Sequence, residues 1–319
     1  MGGRVARDDE VARWRENGWV LLDALVGAEE IDAAVADLAL VFPSAEEYHA
    51  DPAGTMRRWL GEPAPPRNEV FVWPADGPGF RPEQHNWRRE FPFPGSGALN
   101  RLCVHPSIVD FCARALGTTD IRIYQSQVSA KYAGETNYEQ PMHTDRNHSW
   151  LPSLPGRTWW HVEAFLYLSD VHEGNAPTHM VDVPLATGRD TTVPLIMPSG
   201  DPEIYSVEQA APGPRGSYLA YRSDVFHRGV DLTGEHAVRY LLNVSYRVAD
   251  CEWVGFHTAQ SRANGFEWAA FVEGSTPAEL ALFGFPPPGH AVWDGELLDA
   301  TARRYPKLDL TPWRAALHA

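Results

Sequence analysis

Cysteine is scarce in this sequence, with only three residues among 319. Cys103, Cys112 and Cys251 form no CxxC pair, which excludes a disulfide-stabilised scaffold and a cysteine-rich zinc site. So few cysteines fit a reducing compartment. A metal site in this chain therefore needs histidine and carboxylate ligands.

Long hydrophobic runs are absent as well. No apolar stretch approaches the roughly 18 residues of a membrane span, and the first 14 residues lack the apolar stretch of a signal peptide. Lysine is almost missing, with only Lys131 and Lys307 among 27 basic residues, which we attribute to the codon bias of a GC-rich genome. We expect a cytoplasmic protein from a bacterium.

Positive charge is in deficit, because 27 Lys and Arg face 42 Asp and Glu, for a net charge of −15. Such a surface repels phosphate backbones and anionic headgroups. We therefore expect a small-molecule substrate as the partner, with no nucleic acid and no membrane. The 44% hydrophobic content supports a buried core, and no repeat or linker interrupts the chain. We predict a single domain over residues 1–319.

The spacing of apolar residues predicts a β core at about residues 118–250, between helical and loop flanks at 1–117 and 251–319. Segments with a period of two, typical of antiparallel strands, cover 121–131, 158–168, 216–221 and 237–246. Helices are predicted at 8–17, 29–41, 106–116 and 294–304, with Gly117 ending the third, and Thr276 to Glu279 reads as a capping box. The expected fold class is mainly β with flanking helices.

Residues 51–96 have a different character, since proline and glycine recur there among seven aromatic residues. Such a segment is not regular structure throughout. Two interpretations are open: an irregular wrap whose aromatic residues fill the core, or a lid that faces the substrate.

The chemistry begins with a His-x-Asp motif at His143 and Asp145. In an extended segment, residues i and i+2 point the same way, so the imidazole and the carboxylate face one point. The motif alone is weak evidence for a metal site, because the tripeptide is common by chance.

A second histidine strengthens the metal hypothesis. His227 follows a strand-like stretch, and a third ligand from another strand would complete the two-histidine, one-carboxylate face of a non-heme iron site. Arg239 lies in the apolar segment 237–244. A buried arginine needs an anionic partner, and a dicarboxylate cosubstrate on the metal would supply one.

These four residues, in this order, resemble the Fe(II)- and 2-oxoglutarate-dependent oxygenases, and specifically the phytanoyl-CoA dioxygenase-like family. The similarity extends over roughly residues 8–250 and includes three flanking segments, at 17–22, 105–117 and 168–175. One segment departs from the family pattern. Relatives usually have a glycine directly after the residue equivalent to Asn175, and a Pro-Gly-Ser-His sequence further on. In this chain, residues 176–184 contain neither feature.

The resemblance implies a double-stranded β-helix, a jelly-roll or cupin-like core. It implies Fe(II) bound by His143, Asp145 and His227, with O₂ and 2-oxoglutarate as cosubstrates. Arg239 would bind the distal carboxylate of 2-oxoglutarate, with Gln127 and Phe165 beside it. A carboxylate at position 145 favours hydroxylation over halogenation, while desaturation, epoxidation and ring formation stay open.

Four further histidines crowd the same stretch. We expect them to be surface or hydrogen-bonded core residues, because none belongs to the motif: His148, His161, His172 and His179.

The substrate is predicted to be a small, largely apolar or aromatic-bearing metabolite, in secondary metabolism, because an acidic chain is a poor host for a polyanionic CoA thioester. Two other classes are left open. One is a non-catalytic β-barrel binding protein, and the other is a zinc hydrolase with the same ligands. Metal content and 2-oxoglutarate turnover would separate them.

Overall fold

The architecture is taken from a computed structural model that describes residues 2–61, 86–135, 138–154, 157, 160–193, 195–255, 266–281 and 284–317. The described strands are β1 (Trp19–Leu22), β2 (Arg88–Glu90), β3 (Ile121–Tyr132), β4 (His161–Tyr167), β5 (His179–Met180), β6 (Gln209–Ala210), β7 (Tyr218–Tyr221), β8 (His227–Arg228) and β9 (Val238–Val248). The described helices are α1 (Asp8–Asn17), α2 (Ala28–Asp37), α3 (Ala45–Ala50), α4 (Pro52–Leu60), α5 (Gly97–Leu102), α6 (Pro106–Leu116), α7 (Pro202–Ser206), α8 (Phe266–Gly274), α9 (Pro277–Ala281), α10 (Gly295–Arg304) and α11 (Thr311–Ala316).

Two antiparallel sheets organise the chain. The large sheet has six strands in the order β1-β7-β4-β9-β3-β2, and the small sheet has three in the order β6-β5-β8. The long strands β3 and β9 pair over most of their length, with one register irregularity between Ile123 and Gln125. All the described pairing is antiparallel, as the period-two pattern predicts.

The large sheet has two faces of different character, because successive side chains alternate across a strand. On the outer face, Val128, Leu166, Ala220 and Val244 belong to a buried apolar cluster that includes residues of helices α1, α2, α5 and α6. On the inner face, side chains of β4, β7 and β9 pack with Met180 of the small sheet. The inner-face residues near Met180 therefore lie against the small sheet.

Helix ends follow their sequence signals. Helix α6 covers the predicted residues and ends at Gly117, whose φ of 75° is the left-handed conformation that favours glycine. Helix α2 is shorter than predicted, since it ends at Asp37 and passes into a 3₁₀ turn over Leu38–Leu40. The capping box is present, with Thr276 and Glu279 exchanging backbone-to-side-chain hydrogen bonds.

The strands of the small sheet were not predicted. Each is two residues long, and a period of two cannot be recognised in so short a segment. The predicted strand at 158–168 is observed at His161–Tyr167, with residues 158 and 159 outside the described part of the chain.

The C-terminal helices build a second apolar cluster. Trp293, Leu298 and Trp313 pack there with Tyr124 of β3 and with Trp150, which follows the His-x-Asp segment. In the described part of the chain no helix is long and apolar enough to cross a membrane.

About half of segment 51–96, for which a core-filling wrap and a lid were both open, lies outside the described residues, which omit 62–85. Of the aromatic residues that border this gap, Trp87 and Phe93 are buried in the cluster on the outer face of the large sheet. These two aromatic residues fill the core. A lid formed by the rest of the segment remains a prediction.

One buried carboxyl group makes stability depend on pH. Burial raises the pKa of Glu135 from 4.5 to about 7, while the Tyr138 hydroxyl donates a hydrogen bond to it. Because the folded pKa is the higher one, the protonated group stabilises the fold fully below pH 4.5, and this contribution is lost as the pH rises through 7. We expect the free energy of unfolding to fall by on the order of 1–3 kcal/mol between pH 5 and pH 8.

Urea unfolding at a series of pH values measures this effect. Glu135→Gln should remove that part of the pH dependence, whereas Glu203→Gln, at a side chain 90% exposed, should leave it in place. Equal pH profiles for the two variants would contradict the assignment to Glu135.

Candidate metal centre

The two candidate histidine ligands face each other across a β bridge. The backbone N–H of His143 donates to the carbonyl of His227 at 3.0 Å, and the N–H of His227 donates to the carbonyl of His143 at 2.8 Å. Residues paired in this way project their side chains to the same side. Their ring centroids are 4.5 Å apart.

Asp145 completes the group from the start of a turn. Its backbone lies at φ −77° and ψ 46°, directly before the 3₁₀ turn Arg146–His148. One ligand atom from each of His143, Asp145 and His227 lies within 4.8 Å of the other two, and Asp145 Oδ2 is 3.5 Å from His227 Nε2. The three side chains converge as predicted, through a β bridge and a turn rather than one continuous strand.

Backbone carbonyls orient both imidazoles. His143 Nδ1 lies 2.8 Å from the carbonyl of Pro141, and His227 Nδ1 lies 3.1 Å from that of Val225. If each Nδ1 carries the proton and donates it, each Nε2 keeps a free lone pair for a metal. Burial and the nearby His227 lower the pKa of His143 to about 4, so its ring is neutral at pH 7.

Tyr221 holds the carboxylate. Its hydroxyl donates to Asp145 Oδ2 at 2.6 Å, and its ring stacks on Phe165 with centroids 5.8 Å apart. Burial alone raises the pKa of Asp145, but the neighbouring imidazoles and this hydroxyl bring it below the usual range. Tyr221 was not singled out from the sequence, although its position at the end of the period-two segment 216–221 is a usable signal.

An ion-pair network anchors the strand that carries His227. Arg228 bonds to Glu208 at 2.7 Å and to Glu139 at 2.6 Å. Glu139 precedes the His-x-Asp motif by four residues, and Glu208 precedes β6. The network thus ties together the chain segments that bring His143 and His227 into register.

Arg239 is a buried cation with unused hydrogen-bonding capacity. It is 5% exposed and lies opposite Lys131 in the pairing of β3 with β9. One guanidinium nitrogen donates to the carbonyl of Ala176, in the segment that departs from the family pattern, while Nε has no partner. No carboxylate of the described residues forms an ion pair with it.

Burial lowers the pKa of Arg239 to about 10, so the group stays charged at pH 7. A buried guanidinium without an acidic partner is suited to an anionic ligand.

Gln127 and Phe165 lie on the inner face at the same level of the sheet. Both are opposite Asn243 of β9, Gln127 from β3 and Phe165 from β4. Along β9, this level lies between Arg239 and Ser245. The structure thus places both residues on the face that carries Arg239. Phe165 also stacks on Tyr221, the residue whose hydroxyl bonds to Asp145.

A buried histidine–glutamate group adjoins the centre. His148 Nδ1 is 2.6 Å and His161 Nε2 is 3.1 Å from the same oxygen of Glu163. Burial alone would raise the pKa of Glu163, but these imidazoles lower it to about 2. Both histidines are core residues, as expected, whereas Glu163 was not singled out from the sequence, although the period-two pattern of β4 places it beside Phe165.

Solved structures provide the comparison for this arrangement. SnoK, described as a non-heme alpha ketoglutarate dependent carbocyclase from nogalamycin biosynthesis, matches with a TM-score of 0.54 and 18% identity over 78% of this chain and 88% of that one. AviO1 from Streptomyces viridochromogenes Tue57 matches with a TM-score of 0.51 and 11% identity over 77% and 96%.

EctD from S. alaskensis, solved with bound Fe, matches with a TM-score of 0.51 and 16% identity over 78% of this chain and 79% of that one. No protein-family model matches the chain, and no curated protein matches it by sequence. At these identities the comparisons show a shared fold.

The Tyr221 hydroxyl should affect metal binding directly. Tyr221→Phe removes the hydrogen bond that orients Asp145, so we expect affinity for a divalent metal to fall about 10- to 100-fold. Titration of the metal-free protein with Co(II) measures it. Tyr167→Phe is the matched control, since Tyr167 also lies on the inner face but donates to the carbonyl of Ala211. Equal affinities in the two variants would show that the hydroxyl does not support the site.

Proposed function

We propose that this protein is an Fe(II)- and 2-oxoglutarate-dependent dioxygenase that hydroxylates an aliphatic C–H bond of a small, largely apolar metabolite, with a double-stranded β-helix core. The observation that supports it best is the convergence of His143, Asp145 and His227 beneath a sheet whose same face carries a buried, unpaired Arg239.

The three side chains fit a metal of this type. Two imidazoles and one carboxylate on one face, with positions left open, are typical of non-heme Fe(II) oxygenases. The Nδ1 contacts leave Nε2 of both histidines for the metal. When bound, iron together with 2-oxoglutarate and O₂ supplies the oxidising power and releases succinate and CO₂.

The chain's own residues would bind and orient the cosubstrate. We assign Arg239 to the distal carboxylate of 2-oxoglutarate, because its guanidinium is buried, charged and without an acidic partner. Gln127 and Phe165 would line the same subsite, one through its amide and the other through its ring. The Ala176 carbonyl would hold Arg239 in place.

The setting we propose follows from charge and composition. A chain at −15 favours a small-molecule substrate over nucleic acid or a membrane surface, and we propose a cytoplasmic enzyme with one catalytic domain over residues 1–319. The carboxylate of Asp145 would be a metal ligand, and a carboxylate at this position supports hydroxylation over halogenation.

The first experiment needs no substrate. Fe(II) and then 2-oxoglutarate are added without oxygen to metal-free protein, and the visible charge-transfer band of the chelate is recorded. We expect a band that His143→Ala abolishes and that His172→Ala, at an exposed residue, preserves. A folded protein that shows no band and instead binds zinc and hydrolyses model esters would favour a zinc hydrolase, and one that binds no metal would favour a binding protein.

Arg239 should determine the affinity for 2-oxoglutarate. Arg239→Gln removes the cation from a buried pair, which typically costs about 2–5 kcal/mol, so we expect the half-saturating concentration of 2-oxoglutarate to rise by roughly 30-fold or more. The band intensity as a function of 2-oxoglutarate measures it. Arg122→Gln, at an exposed residue of β3, should leave the value unchanged, and an unchanged value in Arg239→Gln would reject the assignment.

A further inference from the structure

Polar residues occupy the inner face of the large sheet beyond the metal centre. We call Gln125, His148, His161 and Glu163 the polar cluster. Gln125 lies opposite Ser245 in the pairing of β3 with β9, and Glu163 lies opposite Tyr221 in the pairing of β4 with β7. The cluster thus occupies the level of the sheet at which Tyr221 contacts Asp145.

All four side chains are buried. His161 is 0% exposed, Glu163 1%, Gln125 3% and His148 7%. Buried polar groups in proteins are nearly always hydrogen-bonded, so an exception calls for an explanation. His148 and Glu163 are bonded to each other, so the exceptions in this cluster are Gln125 and His161.

The cluster has hydrogen-bonding capacity that the described residues leave unused. Gln125 Oε1 has no hydrogen-bond partner, and neither does Nδ1 of His161. His161 Nε2 is close to Glu163, at 3.1 Å, but outside hydrogen-bonding geometry. Gln125 Oε1 and His161 Nδ1 are therefore buried acceptors to which no group of the described residues donates.

The position of the cluster separates it from the cosubstrate subsite. Arg239 and Ser245 are six residues apart on β9, which corresponds to about 20 Å along a strand. Ligand atoms of His148 and Glu163 lie within 4.8 Å of a carboxylate oxygen of Asp145. The cluster therefore borders the metal centre at the end of the inner face opposite to Arg239.

We propose that the polar cluster is the substrate subsite and that it binds a neutral hydroxyl group of the substrate. Glu163 is already paired with His148 at 2.6 Å, so the cluster does not need a further cation. A hydroxyl group can donate its proton to Gln125 Oε1, the unused amide acceptor, and His161 lines the same subsite. This inference rests on the proposed function and adds to it that the otherwise apolar substrate carries a hydroxyl group.

A second metal ion is the competing occupant, since Asp145, His148 and Glu163 also form a possible ligand group. The geometry favours the hydroxyl group, because one oxygen of Glu163 is already close to both imidazoles. The metal stoichiometry of the wild-type protein distinguishes the two. We expect one equivalent of Co(II), and a second equivalent that Glu163→Gln removes would overturn the proposal.

A matched pair of probes tests the subsite. Cyclohexanol and methylcyclohexane have the same ring and differ in a hydroxyl or a methyl group. Each is titrated anaerobically into the protein loaded with Fe(II) and 2-oxoglutarate, while the charge-transfer band is followed. We expect cyclohexanol to perturb the band at a concentration at least about tenfold lower than methylcyclohexane requires. A site built for a hydroxyl group rejects the analogue that lacks it.

Two variants complete the test. Gln125→Leu removes the unused acceptor at similar size, so the preference for cyclohexanol should disappear while the 2-oxoglutarate band itself is retained. Gln209→Leu, at an exposed residue of β6, should keep the preference. If Gln125→Leu folds poorly, His161→Phe serves the same purpose from β4.

The possible failures are distinguishable. Equal responses to both probes, no response to either, or a preference that survives in Gln125→Leu and His161→Phe would overturn the subsite and leave the proposed function intact. Absence of the band in the wild-type protein before any probe is added would overturn both.

Discussion

Side-chain alternation in the six-stranded antiparallel sheet is the constraint on which the rest of this structure depends. It places Val162, Ala164 and Leu166 of β4 in the apolar cluster shared with the helices, and it turns His161, Glu163 and Phe165 to the inner face. A single strand thus contributes to the core on one face and to a polar site on the other. Because a shift of one residue would exchange these faces, burial of the outer face also fixes the position of each polar group.

The site is held by backbone geometry more than by ion pairs. The reciprocal hydrogen bonds of His143 with His227 set the relative position of two candidate ligands that are distant in sequence. Carbonyls of Pro141 and Val225 set the ring orientations, and the Tyr221 hydroxyl sets the carboxylate. Each ligand therefore has its own local support, as preorganised metal sites require.

The long strands and the candidate ligands His143, Asp145 and His227 could be picked out from the sequence, because their signals are local. A period of two over 121–131 or 237–246, and a His-x-Asp motif, are visible without knowledge of the fold. The contacts of Tyr221 with Asp145 and of Glu163 with His148 were not predictable in the same way, since they join side chains 76 and 15 residues apart. Only the register of the strands brings them together. The two-residue strands of the small sheet carry no periodic signal at all.

The register irregularity in β3 lets this strand hold one residue more than its partner without losing the alternation of its two faces. Ile123 pairs with Tyr246 and Gln125 with Ser245, so Tyr124 is the extra residue. Because the residues on either side of it keep their partners, Ile123 stays on the outer face and Gln125 on the inner face. A bulge of this kind absorbs a one-residue change in strand length where it occurs. The inner-face residues of β3 therefore keep their positions whether or not the extra residue is present.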